Sequence, residues 1–176
     1  MDALENILTR KSVRQFADQE IEEDKIDTLL KAAMSAPSGV NKQPWKFIVV
    51  KSKENREKVI KEMPFGKYNS PVIIIPCVRD LATVPLNHDL AYCDLSAATE
   101  NILLAAHALG LGAVWCAIYP SKQRIKNIKK ALGLSVGLSP FSAIYIGYPS
   151  KDDKSKIKDK YKEDMAILNL YAVVPV

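Results

Sequence analysis

Three cations and a hydroxyl fall within five residues near the start of the chain: Arg10, Lys11, Ser12 and Arg14, with Phe16 just after. Groups of these types at this spacing suit an anion such as a phosphate, because guanidinium presents a planar fork of donors that the point charge of an ammonium lacks. About one helix later the chain reads Ala36, Pro37, Ser38, Gly39, Val40, Asn41, Lys42, Gln43, Pro44, Trp45, a loop rich in amide and hydroxyl groups that runs into an aromatic and a strand. Each stretch alone has an ordinary reading. The cations would complement the dipole of a helix end, and Ser, Gly, Asn and Pro are common turn residues. It is their conjunction that points to chemistry.

Other candidate groups are sparse. Cys77, Cys93 and Cys116 stand singly in apolar neighbourhoods, without a CxxC pair or a nearby histidine. We read them as structural buried thiols rather than metal ligands or a disulfide framework, and expect no metal. His88 reads as an exposed loop histidine, with a place at a substrate mouth as the alternative; His107, in an Ala- and Leu-rich helix, reads as a satisfied core histidine. Gly110, Leu111, Gly112 is not a dinucleotide fingerprint, because it follows a helix and lacks the third glycine. The segment Lys151 to Lys162 holds six lysines and three aspartates, which supplies +3 of the net charge of +5. A solvated helix or loop is our reading there, a nucleic-acid or membrane patch the alternative.

The elements that must position these groups follow from periodicity. Leu4, Ile7 and Leu8 share one face of a short helix, Asp2 to Thr9, which hands over to the cations. Ile26, Leu29, Leu30, Ala33 and Met34 predict a second helix from about Glu22, ended by Pro37, so that the loop Pro37 to Gln43 leaves a helix C-terminus. Phe47 to Val50 reads as a buried strand and Glu54 to Glu62 as a charged helix. Pro71 to Val78 is a β-branched strand whose Pro76 removes a ladder donor and predicts an edge position or a bulge. Leu81 to His88 reads as a loop. Leu90 to Leu109 is a helix apolar on most sides, hence central and buried. Ala113 to Tyr119 is the next strand; Ser121 caps a helix Lys122 to Leu132 with Gly133 just past its end. A last strand spans about Phe141 to Tyr148.

With 176 residues, 48% of them hydrophobic and 26% charged, the chain suits one globular domain with one sizeable core. Strands alternate irregularly with helices, which fits a mixed α+β fold better than a regular doubly wound sheet. Met1 to Arg10 carries Asp2 and Glu5 and no apolar run, so neither a signal peptide nor a membrane span is expected there, and a cytoplasmic location is. Met165 to Val176 has no charged side chain. So apolar a terminus should pack on its own domain or wrap a partner subunit, a homodimer being the commonest arrangement.

Arg-Lys-Ser-x-Arg-x-Phe at 10–16 and Ala-Pro-Ser-x-x-Asn-x-Gln-Pro-Trp at 36–45 together resemble the FMN-dependent nitroreductase family. Asp94 to Gly112, with its Ala-Leu-Gly-Leu-Gly ending, is similar to the family's central helix, and Ile144 to Pro149 to its last core strand and turn. The resemblance covers about residues 8 to 162. It implies a largely antiparallel sheet flanked by helices, with a long central helix and an extended C-terminal tail (about 163–176) packing on a partner subunit. It implies one FMN at each of two sites in a homodimer interface. Arg10, Lys11, Ser12 and Arg14 match the family's phosphate and ribityl contacts from one subunit; Pro37, Ser38, Gly39 and Asn41, with Gln43 after them, match the loop presented by the other. Trp115, Cys116, Ala117 and Ile118 fall where the family places backbone beside the flavin ring, and Lys160 where members often carry a phosphate-binding arginine. Lys11 or Arg14 would be the cation favouring the anionic reduced flavin.

The implied activity is transfer of electrons from NADH or NADPH through FMN to a small-molecule acceptor such as a nitroaromatic or quinone, in a ping-pong order and with no catalytic side chain required. A specialised flavoenzyme of the same fold, reductive dehalogenase-like or flavin-consuming, is one alternative. A flavin-binding or nucleic-acid-associated protein without turnover is the other.

Overall fold

The computed structural model describes residues 2–79 and 88–166. The predicted loop Leu81 to His88 and most of the apolar tail therefore lie outside the described residues, except that His88 opens a helix. Five helices, α1 (Ala3–Thr9), α2 (Glu23–Met34), α3 (Lys53–Glu62), α4 (His88–Ala108) and α5 (Lys122–Leu132), surround β1 (Trp45–Val50), β2 (Val72–Arg79), β3 (Gly112–Ala117), β4 (Leu138–Pro140) and β5 (Ser142–Gly147). All pairings between these strands are antiparallel; the order is β1-β2-β5-β3, with β4 continuing along the far half of β2.

The two central strands, β2 and β5, are buried throughout except for the terminal Arg79, and predominantly apolar, because both of their faces are covered. Strand alternation divides them. Val72, Ile74, Val78, Ile144 and Ile146 face α2 and the central helix α4, where Leu29, Leu95, Ala98 and Ile102 are fully buried. Ile73, Ile75, Cys77, Ala143 and Tyr145 face α3 and α5, meeting Val59 and Ile128. The result is a three-layer α+β sandwich with a core on each side of the sheet. No described helix is long and apolar enough to cross a membrane.

Local signals fix the helix ends. Asp2 Oδ1 accepts from the amides of Leu4 and Glu5 at 2.8 and 3.0 Å, Ser52 caps α3 and Ser121 caps α5. Gly133 ends α5 in the left-handed region at φ 61°, and the Leu134 amide reaches back to the Lys129 carbonyl at 2.9 Å. At the start of α2, Tyr148 donates to Glu22 at 2.8 Å while Lys25 contacts both. That contact ties α2 to the end of β5 and holds the Glu22 carboxyl below its ordinary range, through hydrogen bonds from backbone and Tyr148.

Two expectations need correction. Of the two expectations for Pro76 the edge fails and the bulge holds: β2 pairs with β1 on one side, Phe47 opposite Pro76, and with β5 and β4 on the other, where one extra residue is inserted between Ile74 opposite Ile144 and Cys77 opposite Pro140. The Pro76 carbonyl accepts from the Phe141 amide at 2.9 Å, so the missing Pro76 donor faces Phe141 as well. The Phe141 carbonyl has no donor to meet there and turns away, accepting from Ile118 at 3.1 Å and Tyr119 at 2.9 Å. The proline thus breaks its partner: what reads as one last strand is β4 and β5 kinked at Phe141, and β3 stops at Ala117 because the next two amides leave the ladder. The cysteines also differ from one another. Cys77 is buried, its thiol pushed up to about 12 by loss of solvent, but Cys93 is exposed on α4 and Cys116 half-buried.

The segment after α1 crosses the sheet. Ser12 bridges Ala113 in parallel along the outer edge of β3, with the Val13 amide 3.0 Å from the Ala113 carbonyl; Phe16 bridges Pro149, and the Ala17 amide meets the Tyr148 carbonyl at 2.8 Å. Val13 and Phe16 are buried, which turns Arg10, Lys11, Ser12 and Arg14 outward. Two glycines permit this approach: a Cβ on Gly112 would lie 2.6 Å from Val13 Cβ, and one on Gly147 would lie 2.8 Å from Pro71 Cδ and 3.0 Å from Phe16 Cδ1.

Gly112→Ala should therefore cost about 1–3 kcal/mol by overpacking and lower the melting temperature by about 2–10 °C in a thermal scan. Ser70 is buried, and its hydroxyl contacts the carbonyls of Val72 and Ile146 at 2.6 Å and accepts from the Ile146 amide at 2.9 Å. Ser70→Ala orphans that amide and should cost about 1–3 kcal/mol, read as a lower urea midpoint at unchanged m-value.

Candidate functional site

Residues 10–14 build one wall of a cavity of about 390 Å³; the segment from Lys154 to Lys160 builds the other. The lining contains Arg10, Lys11, Ser12, Arg14, Lys154, Ser155, Lys156, Lys158 and Lys160, and no carboxylate among the described residues. Neighbouring groups orient the inner cations. Arg10 Nε lies 3.1 Å from Glu100 of α4. Lys11 Nζ donates to the Ser155 carbonyl at 2.8 Å and lies 3.8 Å from Asp153. Burial raises the Asp153 carboxyl pKa, but hydrogen bonds from Ser155 and the Arg14 amide outweigh it, so the group titrates below its usual range. This bracket is what docks the lysine segment against the first wall.

Arg14 is exposed and also lines a second cavity of about 270 Å³, with Met63, Phe65, Tyr68, Val114, Trp115, Cys116, Ala117 and Arg124. Its floor is the outer edge of β3. Because the Ala113 carbonyl bonds outward to Val13, strand alternation also turns the N–H and C=O of Trp115 and Ala117 outward. The Ala117 carbonyl accepts from Arg124 Nη1 at 2.5 Å. The indole of Trp115 packs edge-on against Phe141, ring centres 5.6 Å apart. Ile118 is fully buried and its amide is spent on Phe141. Burial pushes the Cys116 thiol above its ordinary value, and the Arg14 charge offsets part of that.

The loop Pro37 to Gln43 lines neither cavity. It is held on α4, where Asp94 Oδ1 accepts from the Gly39 amide at 3.0 Å and Asn101 Nδ2 donates to the Ala32 carbonyl of α2 at 2.9 Å. Ser38 Oγ accepts from the Gln43 amide at 3.0 Å, and Gln43 Nε2 donates to Asn41 Oδ1 at 3.1 Å. Val40, Asn41 and Gln43 all sit in the left-handed region, at φ 47°, 55° and 48°. Asn tolerates it; a β-branched residue is strained there. Val40 is also 74% exposed, so no core packing offsets that strain.

One chain thus brings Arg10, Lys11, Ser12, Arg14 and Lys160 together, sets Trp115, Cys116 and Ala117 beside them across Arg14, and keeps the loop apart. The sequence reading passed over Lys154, Lys156 and Lys158 as cavity residues, although their spacing of two was a signal; for Arg124 and Tyr68 there was none. His107 is half-buried with Nε2 2.9 Å from Thr9 Oγ1. The Thr9 hydroxyl already donates to the Glu5 carbonyl at 2.6 Å, so the ring nitrogen is the donor. Burial, then Arg10 and Lys11, hold the His107 pKa below its ordinary value.

The chain matches the nitroreductase family over residues 7–64 and 65–148. It is 43% identical over 155 residues, 86% of this chain and 80% of the other, to a Methanothermobacter thermautotrophicus protein provisionally named NADH dehydrogenase/NAD(P)H nitroreductase. A Bacteroides thetaiotaomicron crystal structure under the same provisional name superposes with a TM-score of 0.87 at 38% identity, covering 96% of this chain and 98% of that one. A provisionally named nitroreductase from Desulfovibrio desulfuricans, solved in complex with FMN, gives 0.81 at 28% identity, with 96% and 97% covered. Sequence, fold and spacing agree, and the chain belongs to the nitroreductase family.

Proposed function

We propose that the chain is an FMN-dependent oxidoreductase that takes electrons from NADH or NADPH and reduces nitroaromatic, quinone or similar acceptors. The observation that carries this reading is the junction of two unlike chambers at Arg14, one lined by cations and hydroxyls, the other by aromatics and an open strand edge. The donor set fits the cofactor. Arg10, Lys11, Ser12, Arg14 and Lys160 suit a phosphate and the polyol next to it, while the outward main-chain groups around Trp115 to Ala117 suit the polar rim of a flat ring. The FMN complex of the Desulfovibrio relative supports the same reading.

When bound, FMN supplies the hydride and electron transfer between donor and acceptor; the protein supplies binding, orientation and electrostatics. Arg14 is the cation placed to favour negative charge developing at the ring end. Lys11 is less suited, being engaged by Ser155 and Asp153. Donor and acceptor occupy one cavity in turn, a ping-pong order.

The site is completed by a second copy of the chain, which contributes Pro37, Ser38, Gly39, Asn41 and Gln43. Two features support a homodimer: the loop keeps a strained backbone outside both chambers, and α1 leaves Leu4, Ile7 and Leu8 exposed at 70%, 55% and 73%, with Met34 and Leu90 exposed at 52% and 46%. Such a row of apolar side chains is costly in water unless covered.

The first test is the visible spectrum of the purified protein before and after anaerobic NADH. Flavin bands that bleach support the reading; a colourless protein that neither takes up FMN nor oxidises NADH refutes it. Arg14→Ala should weaken FMN binding about 10- to 100-fold, since a charge-assisted hydrogen bond contributes about 1.5–3 kcal/mol, as read by fluorescence titration of apoprotein. Leu8→Asp changes an already exposed side chain, so it should leave the melting temperature of the monomer unchanged while converting dimer to monomer in light scattering, with loss of FMN.

A further inference from the structure

The cationic cavity holds more charge than a flavin phosphate needs. Its lining carries seven Lys and Arg side chains, whereas a phosphate monoester brings about two negative charges. Glu100 answers Arg10 and Asp153 answers Lys11. Arg14 and Lys160 suffice for the flavin phosphate. Lys154, Lys156 and Lys158 remain, and among the described residues no salt bridge of 4 Å or less is formed by any of them. Like charges gathered on one wall oppose folding, so the fold itself does not account for them.

Their arrangement is ordered. Residues 153–162 form neither helix nor strand, and Lys154, Lys156, Lys158 and Lys160 all line the cavity while Ile157, between two of them, is 56% exposed. In such a chain alternate side chains fall on one side, and six residues span at most about 20 Å. All four lysines line one cavity of about 390 Å³, which has room for a second anionic group beside the flavin phosphate. Within the proposed function, one other reactant carries several phosphates: the nicotinamide donor.

We infer that Lys154, Lys156 and Lys158 form a second anion subsite, adjoining the flavin phosphate site, that binds a phosphate of the dinucleotide donor. The inference rests on the proposed flavin-dependent activity. A diphosphate bridge, common to NADH and NADPH, or the ribose 2′-phosphate of NADPH would supply the anion. The lysines act as specificity determinants and take no part in electron transfer.

The test is the triple variant K154Q/K156Q/K158Q, beside the control K122Q/K126Q/K130Q, which removes the same charge from an exposed face of α5. Flavin content is read by absorbance, donor KM and kcat by steady-state kinetics, and direct binding by calorimetry with ADP-ribose and its 2′-phosphate. The expected result is retained FMN, unchanged kcat at saturating donor, a KM for donor about tenfold higher, and a matching loss of ADP-ribose affinity. An effect on both donors assigns the diphosphate, and an effect confined to NADPH and the 2′-phosphate probe assigns that group. Unchanged KM and probe affinity with FMN bound would overturn the inference. So would an equal effect in the control, or loss of FMN as the sole change. A wild-type protein that takes up no FMN would instead sink the underlying reading, and is told apart by its spectrum.

Discussion

The site depends on a close approach of two backbones. Val13 lies where a side chain on Gly112 would be, and Phe16 and Pro71 press almost as close to Gly147. With those two contacts the chain after α1 can lie along the edge of β3 and over the end of β5, burying its apolar residues and presenting its polar ones. Everything charged in the first chamber is held by this seam. Arg10 is set by α4, and Lys11 in turn fastens the lysine segment that forms the opposite wall. Without the seam, the same cations would be an ordinary solvated helix end.

Legibility in the sequence follows the range of the interactions. Helix boundaries at Asp2, Ser121 and Gly133 are set by bonds within a few residues, and they could be read directly. The largely apolar β2 and β5 read correctly as strands, but the break at Phe141 could not be seen, because its cause, Pro76, is 65 residues away and acts through a hydrogen bond that is missing. The proline predicted an edge position or a bulge, and the sheet takes the bulge, inserted in the neighbouring strand. Motif residues 10–14 came out as a group because their spacing is local. The segment Lys151 to Lys162 read as a solvated helix or loop, and Lys154, Lys156, Lys158 and Lys160 are exposed outside helix and strand; that it also folds back on residue 11 could not be read, since nothing within it states that contact.

The loop at residues 37–43 shows the other limit. Its residue types suggested a functional loop, and its backbone is strained at Val40, Asn41 and Gln43. Its location could not be read. Asp94, more than fifty residues on, holds it against α4 and away from the cations that the same motif reading paired with it, while Asn101 ties the preceding helix α2 to α4. The two motifs are separated in one chain, and the proposed function has a symmetric second copy reunite them.

Arg14 borders both chambers with a single guanidinium. A charge drawn toward an anion on one side is withdrawn from the other, so occupancy of the two chambers is thermodynamically linked, and such linkage runs equally in both directions. Within the proposed function, salt that screens the outer lysines would therefore also be felt at the ring end, as a drift in electron affinity with ionic strength.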